Sequence, residues 1–359
     1  MGLGHWFLQL CSDMRNDGRV SLTNAAAIDD YHIHEAVLAD FGVGAGSYNK
    51  MDSGGSIPEA LLDAVDMVYI SSPNRYHASQ IMQALSAGKL VVVEKTLGTT
   101  EPEFTKVIDF INDHGFKDNV YLHLHYISKS IVSELSGLIA GFSRKHGAIS
   151  SFRAVFWEEA NEIDKKRADW LFDQDNGGVF MDMTQPYEIL FHGAAAGEVH
   201  LKEVQPYIVN PEYSRDYPTG VDATAVVSGV NFEPGAQGAI RIGKGFSKGY
   251  GEKKMEFTFK DGTIFYLSFV SYESERNKVQ MPYWELISKA GGKEEVLDFG
   301  KPDGSSDSGE RTLISSMVKL YEGKGADLNM DEALKIFSTQ WEYQKLVKGI
   351  KPEELKYRD

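Results

Sequence analysis

The sequence predicts two halves of different class, an α/β half followed by an α+β half. Two observations carry this. Up to about residue 125, short unbroken apolar runs such as Met67-Val-Tyr-Ile70 and Leu90-Val-Val-Val93 alternate with helical segments. Continuous apolar runs are what strands buried on both faces require, so a parallel sheet covered by helices is expected. After about residue 127 the strands lengthen and alternate, at Thr224–Phe232, Ala236–Ile242 and Met255–Phe269. The last of these is split by Asp261-Gly262, a hairpin signal. The expected domains are therefore residues 1–127 and 128–359.

The elements follow in order. Phe7, Leu10, Cys11 and Met14 stand at helical spacing. Val20–Ile28 reads as a buried strand ending at Asp29-Asp30, and His34–Phe41 as a helix stopped by Gly42. Ser56-Ile-Pro-Glu59 has capping-box spacing and should open a helix through Leu61 and Leu62. Ala78–Ala87 is a helix ended by Gly88, Glu101–His114 is another, and Val120–His125 is the last strand of this half. In the second half, Ser150–Phe156 alternates as a strand and Val179–His192 reads as a helix. Helices near Arg311–Tyr321 and Met330–Val347 close the chain, and Lys301–Gly309 reads as a surface loop.

Composition narrows the function. Lys plus Arg number 37 and Asp plus Glu 52, a formal net charge of −15. Such a surface repels phosphate backbones and anionic lipid, so neither nucleic acid nor a membrane is an expected partner. The single cysteine, Cys11, precludes an internal disulfide and a cysteine-based zinc cluster. No apolar run approaches the ~18 residues of a membrane span. No secretory signal is evident, so a cytoplasmic protein is expected.

Several motifs carry chemistry. Gly2-Leu-Gly4 precedes the first helix and resembles the opening of a dinucleotide fingerprint. There, glycines let a pyrophosphate approach a helix N-terminus. Phe7 stands at the third glycine position. The strand that should precede Gly2 would be central to the sheet, and only Met1 lies upstream. We expect a start set too late or a truncated chain, with a short apolar strand encoded upstream. Asp29 ends the next strand, where a carboxylate can accept both ribose hydroxyls and repel a 2′-phosphate. This predicts NAD rather than NADP, with a helix N-cap as the alternative role for Asp29-Asp30. His123 and His125 share one face at period two. Packing is their plain role. A metal is not expected, because no third ligand stands at comparable spacing.

The stretch from Val65 to Lys95 is the most specific. It contains Ser72-Pro73-Asn74-Arg-Tyr-His77 and ends Val-Val-Val93-Glu94-Lys95, and Gly177-Gly178-Val-Phe-Met-Asp182 follows downstream. These segments closely resemble the family of glucose-fructose oxidoreductase, inositol dehydrogenase and rhizopine-catabolism proteins (Gfo/Idh/MocA). The resemblance implies a Rossmann domain followed by a domain with a large, mostly antiparallel open sheet. It further implies a nicotinamide cofactor, a sugar-like or cyclitol substrate, and a homodimer or homotetramer. By position, Ser72, Pro73, Asn74, His77, Glu94 and Lys95 would border the cofactor, together with Gly2, Gly4 and Asp29. Lys95 would be the catalytic lysine, its ammonium stabilising charge that develops on the reacting oxygen. Asp182 would bind a substrate hydroxyl. Lys165, Lys166, Arg167 and Trp170 precede the Gly-Gly motif; Arg167 and Trp170 are candidate substrate contacts, with a solvated charge run as the alternative.

The chain departs from the family pattern in places. Thr96 replaces the proline after the lysine, whose bond is often cis. A non-prolyl cis bond costs roughly 3–4 kcal/mol, so a trans loop is expected. Pro186 stands where the family commonly has a catalytic histidine, and should kink or begin the helix there. Tyr187 follows it, and we place Tyr187 ahead of His125 as the proton relay. The leading expectation is an NAD-dependent oxidoreductase acting on CH–OH groups. The alternatives are a non-catalytic dinucleotide- or sugar-binding regulator and a reductase of an imine, enone or pyrrole.

Overall fold

The computed structural model describes residues 10, 14–28, 35–127, 129–160, 178–212, 218–247, 251–269, 272–273, 278–279, 283–300, 309–324, 330–347, 350–351 and 354–357. The chain forms two compact units, 1–128 with 308–333 and 129–307 with 334–359. The helix α8 (Gly309–Tyr321) thus joins the N-terminal unit, against the strands Leu90–Glu94 and Val120–His123, although it follows the second unit's strands.

All described strand pairs between β1 and β5 are parallel. β1 (Ala25–Ala27) pairs with β2 (Tyr48–Lys50), and β3 (Met67–Ile70), β4 (Leu90–Glu94) and β5 (Val120–His123) form a second sheet. Val91, Val92 and Val93 are fully buried, as an apolar run without alternation requires. Among the described residues no strand joins β1 to β3. A cavity of about 30 Å³ is lined by Ala26 of β1 and by Val68 and Ile70 of β3.

The helices α1 (Glu35–Ala39), α2 (Glu59–Asp63), α3 (His77–Ser86) and α4 (Glu101–Asp113) separate these strands. The capping box expected at Ser56 does not form. Pro58 is the N-cap of α2, and the Ser56 amide donates instead to Asp52 Oδ1 at 2.9 Å. A capping box does form on α4, where Thr100 and Glu103 satisfy each other's backbone amides.

In the second unit, α5 (Ser130–His146) leads into β6 (Ile149–Glu159). The presumed single helix at 179–192 is broken into α6 (Gly178–Asp182), α7 (Gln185–Glu188) and a π turn over Ile189–Gly193. Pro186 sits in the first turn of α7, where its missing N–H costs nothing. Then come β7 (Ala196–Ile208), β8 (Gly220–Gly229), β9 (Phe232–Phe246), β10 (Glu252–Phe259) and β11 (Ile264–Ser268). The hairpin between β10 and β11 turns at Gly262, whose φ of 87° suits glycine. A small hairpin, β12 (Tyr272–Glu273) and β13 (Lys278–Val279), precedes β14 (Tyr283–Ala290) and β15 (Lys293–Gly300). The helix α9 (Met330–Val347) and β16 (Lys356–Tyr357) end the described chain. The large sheet has the order β15-β14-β11-β10-β6-β9-β8-β7-β16 and is mostly antiparallel. Its parallel pairs are β6 with β9 and β7 with β16.

Candidate active site

Ligands of open parallel sheets bind beyond the carboxyl ends of the strands. In the N-terminal unit those ends carry the residues singled out by the sequence. After β3, Pro73 leads into a 3-10 turn, Asn74–Tyr76, and α3 begins at His77. Ser72, Pro73 and Asn74 are half-buried and remain accessible. His77 is not: it is 1% exposed, its Nδ1 is 2.5 Å from the Thr96 carbonyl and its Nε2 2.8 Å from the Ser72 carbonyl. Burial pushes the imidazole pKa down, against the two carbonyls, which raise it. His77 therefore joins the loops after β3 and β4 as a strut. Gln80 supports the same loop. Its Oε1 accepts from the Ser72 hydroxyl at 2.6 Å, and its Nε2 donates to the Gly55 carbonyl at 2.6 Å.

Lys95 follows β4 directly and is half-buried. The Lys95–Thr96 peptide is cis, correcting the trans loop expected. Thr96 itself is buried, and its hydroxyl donates to the Gly98 carbonyl at 3.0 Å.

Glu94, the last residue of β4, is the centre of a polar cluster. It lies opposite His123 in the register of β4 and β5. The Tyr69 hydroxyl and His123 Nδ1, the latter at 2.8 Å, both donate to Oε1. His125 Nε2 lies 3.3 Å from Oε2. β5 stops at His123, yet His125 in the following turn still packs ring to ring, with centroids 4.4 Å apart. Burial would raise the Glu94 carboxyl pKa. The two histidines outweigh it and hold the group well below the usual range. Glu94, His123 and His125 bring ligand-capable atoms within 4.8 Å of one another. Spacing along the sequence showed no third group beside the histidines, because Glu94 arrives across the sheet.

The second unit holds another charged cluster. Asp182 Oδ2 is 2.7 Å from Lys244 Nζ, which is also 2.7 Å from Glu158 Oε2. Glu158 Oε1 is 2.6 Å from Lys253 Nζ. Glu158 and Lys244 are register partners on β6 and β9. Burial would raise the Glu158 pKa, but the Lys244 and Lys253 ammonium groups bring it down to about 2. Neither Glu158 nor Lys244 was singled out in the sequence. Their pairing is set by a parallel contact between strands that are not consecutive.

Tyr187, the expected proton relay, lies in the core. It is fully buried, its ring is 5.4 Å from that of Phe180, and among the described residues its hydroxyl has no hydrogen-bond partner. Burial, with Tyr343 and Glu342, pushes the phenol well up. A relay near neutral pH needs the opposite shift. Gly2, Gly4, Asp29, Lys165, Lys166, Arg167 and Trp170 lie outside the described residues.

No curated protein matches the chain. Its fold is similar to solved structures at low identity. KijD10, a 3-ketoreductase from Actinomadura kijaniata in complex with NADP, matches at TM-score 0.67 and 16% identity, over 99% of this chain and 97% of that one. The UDP-N-acetylglucosamine 3-dehydrogenase GnnA from Acidithiobacillus ferrooxidans matches at TM-score 0.64 and 13% identity, over 96% and 95%. Biliverdin reductase from Synechocystis sp. PCC 6803, with biliverdin and NADP+, matches at TM-score 0.63 and 18% identity, over 94% of each. Residues 14–120 match the family model described as "Oxidoreductase family, NAD-binding Rossmann fold". That match spans the N-terminal half of the site and contains the Glu94-Lys95 strand end, so the resemblance to the Gfo/Idh/MocA oxidoreductases rests there on a family model as well as on the motifs.

Proposed function

We propose that this protein is an NAD(P)-dependent oxidoreductase that interconverts a hydroxyl and a carbonyl on a sugar-like or cyclitol substrate. When bound, the nicotinamide supplies the hydride donor or acceptor. The protein's own residues do the rest. The Lys95 ammonium stabilises negative charge on the reacting oxygen. His125 exchanges the hydroxyl proton, as an imidazole nitrogen can. Asp182, ion-paired with Lys244, is assigned a substrate hydroxyl, as the family resemblance implies.

The observation that carries this reading is the placement of Glu94, Lys95 and His125. A lysine follows one parallel strand, and an imidazole backed by a carboxylate 3.3 Å away follows its neighbour. Ser72, Pro73 and Asn74 follow the third strand at its carboxyl end, where ligands of open parallel sheets bind. His125 replaces Tyr187 in the relay because Tyr187 is enclosed and its phenol is shifted the wrong way.

The test is a matrix of NADH and NADPH oxidation with keto-sugars, and NAD+ and NADP+ reduction with sugars and cyclitols. Turnover of one such pair supports the reading. Turnover confined to a linear tetrapyrrole or an imine would replace it with reduction of a different group. Cofactor binding without turnover would favour the regulator, a reading that the loss of the family histidine to Pro186 also favours.

A cytoplasmic homodimer or homotetramer completes the proposal. No helix among the described residues is long and apolar enough to cross a membrane. The edge strand β15 exposes Val296, Leu297 and Phe299, apolar groups of the kind an intersubunit contact covers. Light scattering would read the subunit number.

A further inference from the structure

The sequence placed His123 and His125 on one face of a strand and offered no third group beside them. The sheet supplies one. Glu94, the register partner of His123, brings its carboxylate from β4 to both rings. The three side chains present ligand-capable atoms within 4.8 Å of one another. Glu94 Oε2 and His125 Nε2 are 3.3 Å apart. Two atoms bound to one tetrahedral ion at about 2.0–2.1 Å stand about 3.3–3.4 Å from each other, so this pair already has the spacing of neighbouring ligands. The widest remaining gap closes by side-chain rotations that move an atom by about 1 Å. His123 gives a second, independent pointer. It is 1% exposed, and its Nε2 is buried with no hydrogen-bond partner among the described residues. A buried nitrogen in that state costs about 1–3 kcal/mol, and a bound ion relieves it.

The donor set identifies the ion. Two imidazoles and one carboxylate are a ligand set of catalytic zinc sites, whose fourth position stays open to water or a substrate group. Magnesium and calcium take oxygen ligands instead. Glu94 and His125 are each 9% exposed, so little water competes with them for a cation. The Tyr69 hydroxyl donates to Glu94 Oε1 and orients the carboxylate from outside the ligand set. Tyr69, Glu94 and His123 stand on three adjacent parallel strands, which hold the site on rigid elements.

We propose that Glu94, His123 and His125 form a binding site for a zinc-class divalent cation, and that the bound ion inhibits turnover. The site stands on the three side chains alone. The inhibition rests on the reading of His125 as the proton-exchanging group. A neutral imidazole has one N–H and one lone pair. Once that lone pair is bound to the ion, neither nitrogen is left to accept the substrate's hydroxyl proton. Removing the ion returns the imidazole to proton exchange, so the inhibition is reversible.

The test uses the untagged full chain and cobalt(II), whose visible absorption is intense in a four-coordinate site and weak in a six-coordinate one. Wild type is expected to take up a single cobalt ion with the intense spectrum. Zinc should displace it and magnesium should not. His123→Gln should weaken cobalt binding at least ~10-fold. Zinc at a concentration that fills the site should lower wild-type turnover at least ~10-fold, and a chelator should restore it. A wild-type chain without the four-coordinate spectrum overturns the site, and this holds even where His123→Gln does not fold. An unchanged spectrum and affinity in a folded His123→Gln chain overturn it too, because the ion then sits elsewhere. A site that fills as expected while zinc leaves turnover unchanged overturns the inhibition. Absence of turnover with every sugar and cyclitol is a different failure: it removes the proposed activity, and the inhibition with it, while the cobalt result still decides the site.

Discussion

Lys244 holds two carboxylates at once: its ammonium is 2.7 Å from Asp182 on α6 and 2.7 Å from Glu158 on β6. A single cation therefore ties a short helix to the middle of the large sheet, beside the residue assigned to a substrate hydroxyl. Removing the cation leaves two carboxylates close together, with Lys253 still beside Glu158.

Lys244→Met is expected to destabilise the protein by about 2–4 kcal/mol, because breaking a largely buried ion pair strands its partners. Urea unfolding monitored by tryptophan fluorescence measures this. Lys244→Arg should recover part of the loss. A Lys244→Met midpoint equal to wild type would mean that water replaces the ammonium at no cost.

Glu158 makes this cluster sensitive to acid. Its folded pKa, about 2, lies below the ordinary 4.5. A depressed carboxylate stabilises the fold fully above its unfolded value, and that contribution drains away as pH falls from about 4.5 toward 2. Urea midpoints taken between pH 6 and 3 should fall more steeply for wild type than for Glu158→Gln. Parallel slopes would show that Glu158 is not shifted.

Tyr187→Phe is expected to leave turnover unchanged within about twofold, with stability altered by less than roughly 1 kcal/mol. The lost hydroxyl is buried and, among the described residues, unbonded, so its removal frees no partner. A large loss of turnover would return the phenol to the relay and displace His125.

Cofactor choice is tested at Asp29. A carboxylate that binds the ribose hydroxyls predicts a higher kcat/KM with NAD(H) than with NADP(H), and a narrower preference in Asp29→Ala. A tenfold advantage for NADP(H) in the wild type would remove that role from Asp29.

What the sequence made legible is what depends on neighbours along the chain. The unbroken run at Val91–Val93 could only be a strand buried on both faces, and it is. Asp261-Gly262 marked a turn because Gly262 takes a φ that few other residues accept. Ser56 is not the cap because the helix starts two residues later than its spacing predicts, with Pro58 as the N-cap. The site was harder. Glu94 meets His123 only through the pairing of β4 with β5, with all of α4 between them. Lys244 meets Glu158 only because β9 lies parallel to β6, a contact that no local pattern announces. Tyr187 looked available from its position after Pro186, but the break at Met183–Thr184 and the restart at Gln185 turn its ring toward Phe180.

The most direct test of the account is the turnover of Lys95→Met beside its cofactor affinity, measured on one preparation with the substrate found in the matrix above. If Lys95 acts on the reacting oxygen, kcat should fall by about 100-fold or more, while the cofactor dissociation constant stays within about twofold of wild type. Near-normal kcat in Lys95→Met would contradict the account, because the strand end that defines the site would then carry no chemistry.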